Sequence, residues 1–420
     1  MTWLALLLAC GGGTSDGLDH LADKALIESI DLVRVKDFVD EIADDATGGR
    51  PPCSVGSTMA REMIEDRMMI MGLEPKGTDG FRFAYPGSGS DGFMLDAAGV
   101  PVPHVCNEHI ALAGTIEGSD PLLKDEYVVL MAHYDHLGVK EEVAGSQDIF
   151  NGAFDDAAGV GVVLEVAELL LAHDGERPGR SILILITDGE EFGLTTPYAF
   201  LDNPLLPLDD IHFVISADPL GRAFLPDMGL QLMIGLERQP GLKARWKEAA
   251  PAFTKDYIAY FHRDVVPIFA SDQDPFMQSG IPGVWYVNLG FSFYHLAADD
   301  PETIDYRVIN KDVKYLLDVA YLVGDDPESY DFNPSPPIDI DAIVEARDFL
   351  LRVHESNVIE DWERELCTSY VAELNAAIDS GEGVDGLDNA EDFFLVVTAF
   401  LLGMTQSHPG QVPPPWPVQE

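Results

Sequence analysis

The sequence predicts an α/β protein with a mixed, mostly parallel central sheet flanked by helices and a C-terminal helical extension. Three observations carry that prediction. Short runs of Val, Ile and Leu recur between positions 109 and 289, several of them nearly continuous, as central strands covered on both faces require. Helical stretches and long connections separate these runs, which suits parallel crossovers. Beyond a Pro- and Asp-rich stretch at 326–341 the pattern turns helical.

Taken in order, the first ten residues, MTWLALLLAC, are a short apolar run ending in a cysteine, and GGGTSDG follows as a flexible linker. Leu7, Leu8 and Ala9 before Cys10 resemble the end of a bacterial lipoprotein signal, although no Lys or Arg precedes the run. Residues 1–19 are therefore read as signal and linker, with Cys10 the expected lipid acceptor. The expected location is extracytoplasmic, either lipid-anchored to a bacterial membrane or secreted. Residues 20–45 carry apolar side chains at helical spacing, among them Leu26, Ile30, Val33, Phe38 and Ile42. A second helix is expected over 57–71, stopped by Gly72 and Pro75. The Gly- and Pro-rich stretch 77–106 predicts irregular chain or short strands.

The strands proper are IALAGTI, YVVLMAH, SILILIT, HFVISAD and GVWYVNL. Between the second and third, DAAGVGVVLEVAELLLAH is a helix apolar enough to lie on a sheet, and another helix is expected near 303–323. The chain thus divides into a helical cap and α/β core (20–325), a linker (326–341), a helical appendage (342–405) and a Pro-rich tail (406–420). No later stretch is long and apolar enough to span a bilayer.

Charge is the compositional outlier. Against 25 Lys and Arg stand 73 Asp and Glu, a net charge of −48. Such a surface repels phosphate backbones, so nucleic acid is not an expected partner, and it favours solubility and divalent cations. With Cys10 lipidated, Cys53, Cys106 and Cys367 remain, an odd count that permits at most one bridge. Cys53–Cys106 is one possible pairing.

Polar residues collect at the ends of the predicted strands. The second strand runs into His133-x-Asp135, and NGAFDDAAG presents Asp155 and Asp156 just before a helix. SILILIT leads to Glu190 and Glu191, HFVISAD ends in Asp218, and His295 follows the last strand. In open α/β sheets, ligands bind beyond the carboxyl ends of the strands, so these scattered segments can converge. Two histidines and three carboxylates suit a pair of Zn²⁺ ions, with Co²⁺ or Mn²⁺ tolerated. A carboxylate can bridge two cations, and water held between them becomes a nucleophile near neutral pH. A further carboxylate outside the donor set can take its proton. That is a hydrolase design.

With these motifs in place, the chain resembles the M28 family of zinc aminopeptidases over roughly residues 28–325. The matching segments are HYD (133–135), GAFDDAAG (152–159), GEEFGL (189–194), SADPLG (216–221) and YHLAADD (294–300). The resemblance implies a zinc-peptidase/phosphorylase-like α/β/α sandwich holding two Zn²⁺ per chain. It implies His133 and Asp218 on one zinc, Glu191 and His295 on the other, and Asp155 between them. Glu190 would be the general base and Asp135 would orient His133 by accepting its other ring N–H. The implied substrates are peptides with a free N-terminus, cleaved at the first peptide bond by a metal-bridging hydroxide.

Other residues carry plainer expectations. His136 is expected at the surface or behind the ligands, because the family uses only the first histidine of the pair. Asp156 is expected to hydrogen-bond locally or cap the following helix. Tyr286 and Tyr294 both carry a hydroxyl able to stabilise an oxyanion, and no spacing chooses between them. The chain departs from the family at Gln273, where a histidine is often seen, and at 195–198, where Thr-Thr-Pro-Tyr follows Leu194. After His295 the usual Thr-Pro is missing, although Asp299 still falls four residues on. Competing readings are a glutaminyl cyclase, an amidase or carboxypeptidase on the same fold, and a zinc-binding lipoprotein without turnover. The retained donor set argues against a single-zinc cyclase, and the presence of Glu190 argues against an inert scaffold.

Overall fold

The computed structural model describes residues 22–407, apart from 88–92, 96–100, 104, 141–147, 174–176, 226, 229–230, 250–257, 263–270, 329–330, 382–386 and 388–389. The leader expected at 1–19, Cys10 included, and the tail from 408 onward lie outside the described residues. Before the sheet come α1 (Lys24–Glu28), α2 (Leu32–Ile42) and α3 (Val55–Met71). The helical pattern of 20–45 is thus broken between Ser29 and Asp31. Asp31 starts a new helix by accepting hydrogen bonds from the main-chain N–H groups of Val33 and Arg34. The second predicted helix ends as expected, with Gly72 in the left-handed conformation (φ 84°).

Among the described residues, nine strands form the principal sheet. They are β1 (Glu74–Pro75), β2 (Arg82–Pro86), β5 (Glu108–Ile116), β6 (Tyr127–His133), β9 (Ser181–Thr187), β10 (Ile211–Ala217), β11 (Gln231–Ile234), β12 (Ile258–Phe261) and β13 (Gly283–Val287). Two small ribbons lie apart, β3 (Phe93–Leu95) with β4 (Pro101–Pro103) and β7 (Gly138–Lys140) with β8 (Asp148–Phe150). The order across the sheet is β1, β5, β9, β6, β10, β13, β11, β12, with β2 also pairing with β5. The centre, β9–β6–β10–β13, is parallel. Its margins are antiparallel, where β5 meets β9 and β11 meets β13. All five expected strands are present, and the fold is the mixed, helix-flanked sheet that the sequence predicts. Strands β11 and β12 were not predicted: each is a four-residue run near the sheet edge, too short to show a period.

The near-continuous apolar strands have the two-sided burial they imply. Along β6, Val128, Leu130 and Ala132 face one apolar layer, built with α2, with α4 (Ala158–Ala172) and, across the sheet's width, with the long helix Tyr306–Asp325. Val129 and Met131 face the opposite layer, which contains Phe200 of α5 (Thr195–Asp202). Helix α6 spans Pro240–Ala249, α7 spans Gln273–Gln278 and contributes Phe276 to that second layer, and the long helix is α8. Helix α4 is apolar nearly all round because it is sandwiched between the sheet and α2 and α8. Its buried Glu165 is held by a two-pronged contact from Arg34, at 2.7 and 2.8 Å.

The C-terminal region is helical, as expected: α9 (Ile340–Glu355), α10 (Asp361–Ser380) and α11 (Ala390–Ser407). Phe349 of α9 packs on Phe224, with ring centroids 5.3 Å apart, and α11 lies against the turn Phe291–Phe293. Phe349, Leu374, Phe394 and Met404 belong to the same continuous apolar core as the sheet. Among the described residues no helix is long and apolar enough to cross a membrane. Cys53 and Cys106 form a disulfide that ties the segment before α3 to the approach to β5, and Cys367 is a buried free thiol.

Candidate metal centre

The carboxyl ends of the parallel strands meet at one side of the sheet, and each supplies a polar side chain there. His133 closes β6, Asp218 directly follows β10, and the turn after β9 carries Glu190 and Glu191. His295 sits on the loop after β13, and Asp155 precedes α4. The β9 turn is tight: Gly189 has φ 74°, and a Cβ there would fall 2.1 Å from Thr195 Oγ1.

All five predicted donors converge, and Asp155 stands between two groups. Its Oδ1 lies 3.0 Å from His133 Nε2, which is itself 3.4 Å from Asp218 Oδ1. Its Oδ2 lies 3.1 Å from His295 Nε2, which is 3.1 Å from Glu191 Oε2. The Asp155–Asp156 peptide is cis. Asp299 holds the segment in place: its two carboxylate oxygens accept the main-chain N–H groups of Phe154 (2.9 Å) and Asp155 (3.2 Å).

The tautomer of His133 follows from its partners. Nδ1 lies 3.0 Å from the main-chain carbonyl of Asp135, which can only accept, so Nδ1 carries a proton. Nε2 is the nitrogen that faces Asp155 and Asp218, donating to Asp155 Oδ1 while protonated and free to offer a lone pair where a cation takes that proton's place. The expected orienting contact from Asp135 is therefore made most closely by its carbonyl. Its carboxylate stands farther off, at 3.7 Å, and accepts the Glu190 N–H at 3.2 Å instead. Asp156 behaves locally, accepting the N–H of His133 (3.2 Å) and of Gly159 (3.1 Å). His133, Asp156 and Asp218 also form a compact group, yet both Asp156 oxygens are engaged by main-chain donors, so Asp155 is the better-placed ligand.

His136 does not sit at the surface. It is fully buried, with Nδ1 2.7 Å from Glu191 Oε1. Tyr286 and Tyr294 separate clearly. Tyr286, on β13, is buried against the helix Tyr306–Asp325 and donates to Asp312 Oδ1 at 2.6 Å. Tyr294 stacks on His295, ring centroids 3.8 Å apart, and so borders the site. Gln273 is buried in α7 and donates to Asp274 Oδ1 at 3.0 Å.

The electrostatics are those of carboxylates and imidazoles packed together. Burial and the neighbouring Asp155 carboxylate push Glu191 up, but His295 and His136 outweigh them and bring it down to about 2. Burial likewise opposes ionisation of Asp155, and the His133 and His295 imidazoles close beside its carboxylate hold it well below the usual carboxylate range. Burial lowers His295, yet the carboxylates of Glu191 and Asp155 carry it up to about 10. Imidazoles keep protons here because carboxylates surround them, and a divalent cation among the same atoms would displace those protons. Glu190 differs. Burial, reinforced by Asp218, Glu191 and Asp272, raises it well above its ordinary value against the pull of His133.

The donor set fits a divalent metal ion. Asp155 Oδ2 and His295 Nε2, 3.1 Å apart, are buried atoms that make no hydrogen bond among the described residues, and so are Glu191 Oε1 and His136 Nδ1, 2.7 Å apart. Atoms that converge without hydrogen-bond alignment are the arrangement expected of ligands aimed at a common ion.

Several supporting residues carry no motif. The buried Arg50 guanidinium donates to the carbonyls of Tyr134 (2.7 Å), Ile42 (3.0 Å), Gly152 (2.9 Å) and Asn151, joining the two loops that bear His133 and Asp155. Ser271 donates to Asp218 Oδ2 at 2.5 Å. At the departure noted after Leu194, the Tyr85 hydroxyl is bonded to Thr195 Oγ1 (2.9 Å) and Thr196 Oγ1 (2.7 Å), bracing the glutamate turn.

A profile described as peptidase family M28 matches residues 111–320. No curated protein matches the chain. The fold is similar to that of the Legionella pneumophila LapA aminopeptidase, at 14% identity and TM-score 0.53, covering 72% of this chain and 75% of that one. It is similar to an aminopeptidase from Aneurinibacillus sp. strain AM-1, at 13% identity and TM-score 0.52, covering 75% and 98%. A Bacteroides thetaiotaomicron glutaminyl cyclase bound to N-acetylhistamine is also similar, at 17% identity and TM-score 0.50, covering 70% and 98%.

Proposed function

The chain belongs to peptidase family M28, and from that membership we propose that it is a dinuclear zinc aminopeptidase cleaving the first peptide bond of substrates with a free N-terminus. One observation carries the reading: Asp155 turns one carboxylate oxygen toward His133 and Asp218 and the other toward Glu191 and His295. His133 and Asp218 would hold one zinc, Glu191 and His295 the other, and Asp155 both. When bound, the pair supplies Lewis acidity and lowers the pKa of water.

The remaining steps belong to the chain's own groups. Glu190 accepts the proton of the attacking water and returns it to the departing amine; burial among acidic neighbours, which favours its protonated form, suits that exchange. Asp135 holds the Glu190 main chain and, through its carbonyl, the tautomer of His133. Because Tyr294 stacks on His295 at the edge of the site, we assign it, rather than Tyr286, the hydroxyl that meets a developing oxyanion. The carboxylates around the site favour the ammonium end of a peptide.

A second reading, glutaminyl cyclase chemistry, is supported by the likeness to the Bacteroides enzyme. The five converging donors favour hydrolysis by a metal pair over it. Assays on unblocked, N-acetylated and N-terminal Gln peptides separate the two. Release of the first residue from unblocked peptides only, abolished by a chelator, is expected. Ammonia release from the Gln peptide without chain cleavage would replace the aminopeptidase reading with the cyclase.

We also place the protein outside the cytoplasm. The Cys53–Cys106 bridge supports this, since such bonds persist in oxidising compartments.

A further inference from the structure

His136 is the one site residue whose observed position the family pattern does not account for. It is fully buried. Its Nδ1 lies 2.7 Å from Glu191 Oε1 and 3.8 Å from Asp155 Oδ2. Its ring faces that of His295, with centroids 5.8 Å apart and planes at 65°. Despite the 2.7 Å approach, neither His136 Nδ1 nor Glu191 Oε1 makes a hydrogen bond among the described residues. Nitrogen and oxygen therefore do not point at each other. His295 Nε2 shows the same signature with Asp155 Oδ2 at 3.1 Å. His133 does not: its Nε2 makes an aligned hydrogen bond to Asp155 Oδ1.

The backbone makes room for the ring. Gly152 has φ 57°, and a Cβ there would lie 2.5 Å from His136 Cγ. The His136 N–H is anchored to the Arg50 carbonyl at 3.3 Å, and the Arg50 side chain grips the Gly152 carbonyl. The same buried arginine thus fixes both the imidazole and the gap it occupies. Glu191 presents Oε1 to His136 (2.7 Å) and Oε2 to His295 (3.1 Å), while Asp155 Oδ2 faces both imidazoles, at 3.8 and 3.1 Å, and His136, Asp155 and Glu191 form a group close enough to share one metal ion.

We propose that His136 Nδ1 is a direct ligand, joining Asp155, Glu191 and His295, so that one ion is held by two imidazoles while the other has only His133. This rests on the dinuclear reading above and sharpens it. The half with two imidazoles favours borderline ions such as zinc and cobalt, and the half with one imidazole and two carboxylates is the one open to harder ions such as manganese. The two halves therefore fill in order, and a mixed-metal protein is attainable.

The test is a stepwise Co²⁺ titration of the metal-free protein, followed by absorption spectroscopy and calorimetry, for wild type, His136→Gln and His136→Cys. Wild type is expected to bind two equivalents in separable steps, the first with the intense visible bands of a four-coordinate site. His136→Gln should weaken that first step by about 100-fold or more, beyond the loss usual for a group that merely supports a ligand. His136→Cys should keep the step and gain a near-ultraviolet thiolate-to-cobalt band, which a purely structural role cannot produce. Unchanged affinity and spectrum in His136→Gln, or two bound ions with no thiolate band in His136→Cys, overturns the assignment. If His136→Gln fails to fold, the band in His136→Cys decides alone. Fewer than two equivalents bound by wild type would instead sink the dinuclear reading, and the assignment with it.

Discussion

Asp299 reaches across the site to Asp155 by its backbone, accepting the N–H groups of Phe154 and Asp155 on separate carboxylate oxygens. The bridging position of Asp155 depends on that grip. Asn in place of Asp299 turns one acceptor into a donor facing an N–H group. Asp299→Asn is expected to lower metal affinity and turnover by about 10- to 100-fold. Metal content after dialysis, measured beside kcat, checks this, and a variant that retains two ions at full activity would remove Asp299 from the positioning scheme.

Glu190 contacts the reacting water in the proposed chemistry but holds no metal. Glu190→Gln should therefore keep its full metal content while kcat falls by about 10²- to 10⁴-fold. Parallel metal analysis and steady-state kinetics separate the outcomes. Loss of metal together with activity would show that Glu190 is a ligand rather than the base.

Arg50 is a buried cation whose partners are carbonyls. Burial lowers it to about 10, against the pull of Asp299, Asp135, Asp155 and Asp156, so it stays charged at neutral pH. Lysine has no planar fork to reach the same carbonyls, and Arg50→Lys should cost about 3–5 kcal/mol of stability. Urea unfolding of the metal-free forms measures the loss. A change below about 1 kcal/mol, the net worth of one ordinary hydrogen bond, would show that the guanidinium network contributes little.

His212 on β10 supplies a pH dependence away from the metal centre. Burial, with Arg180 nearby, lowers it to about 4 from the usual 6.5. Below pH 6.5 the unfolded chain takes the proton first, so the stabilisation present above that pH declines as the pH falls toward 4. The full shift would amount to about 3 kcal/mol, and partial solvent screening reduces the expectation to about 2 kcal/mol. Unfolding free energies measured between pH 7 and pH 4 should fall less steeply for His212→Gln than for wild type. Parallel slopes would show that His212 does not carry this dependence.

The converging residues were legible because each strand run ends in a distinctive polar residue and the five motifs follow in order. That order brought out His133, Asp218 and His295 and two acidic pairs, and the family resemblance then singled out Asp155 from Asp156 and gave Glu190 and Glu191 different parts. Arg50 left no such trace: its partners are carbonyls, which every residue carries, so nothing in the string marks its role. His136 was hidden for a related reason, since the space that lets it turn inward is left by Gly152, in a different loop, a relationship only the folded chain reveals. The break before Asp31 and the antiparallel margins reflect capping and sheet-edge pairing, which act between segments rather than along them.

The contact of α11 with the turn Phe291–Phe293, two residues before His295, means that a loop inside the stretch matched by the family profile is propped by a helix outside it. Where the C-terminal helices are trimmed or exchanged, the His295 loop would lose that prop, so the appendage has a stake in the geometry of the centre.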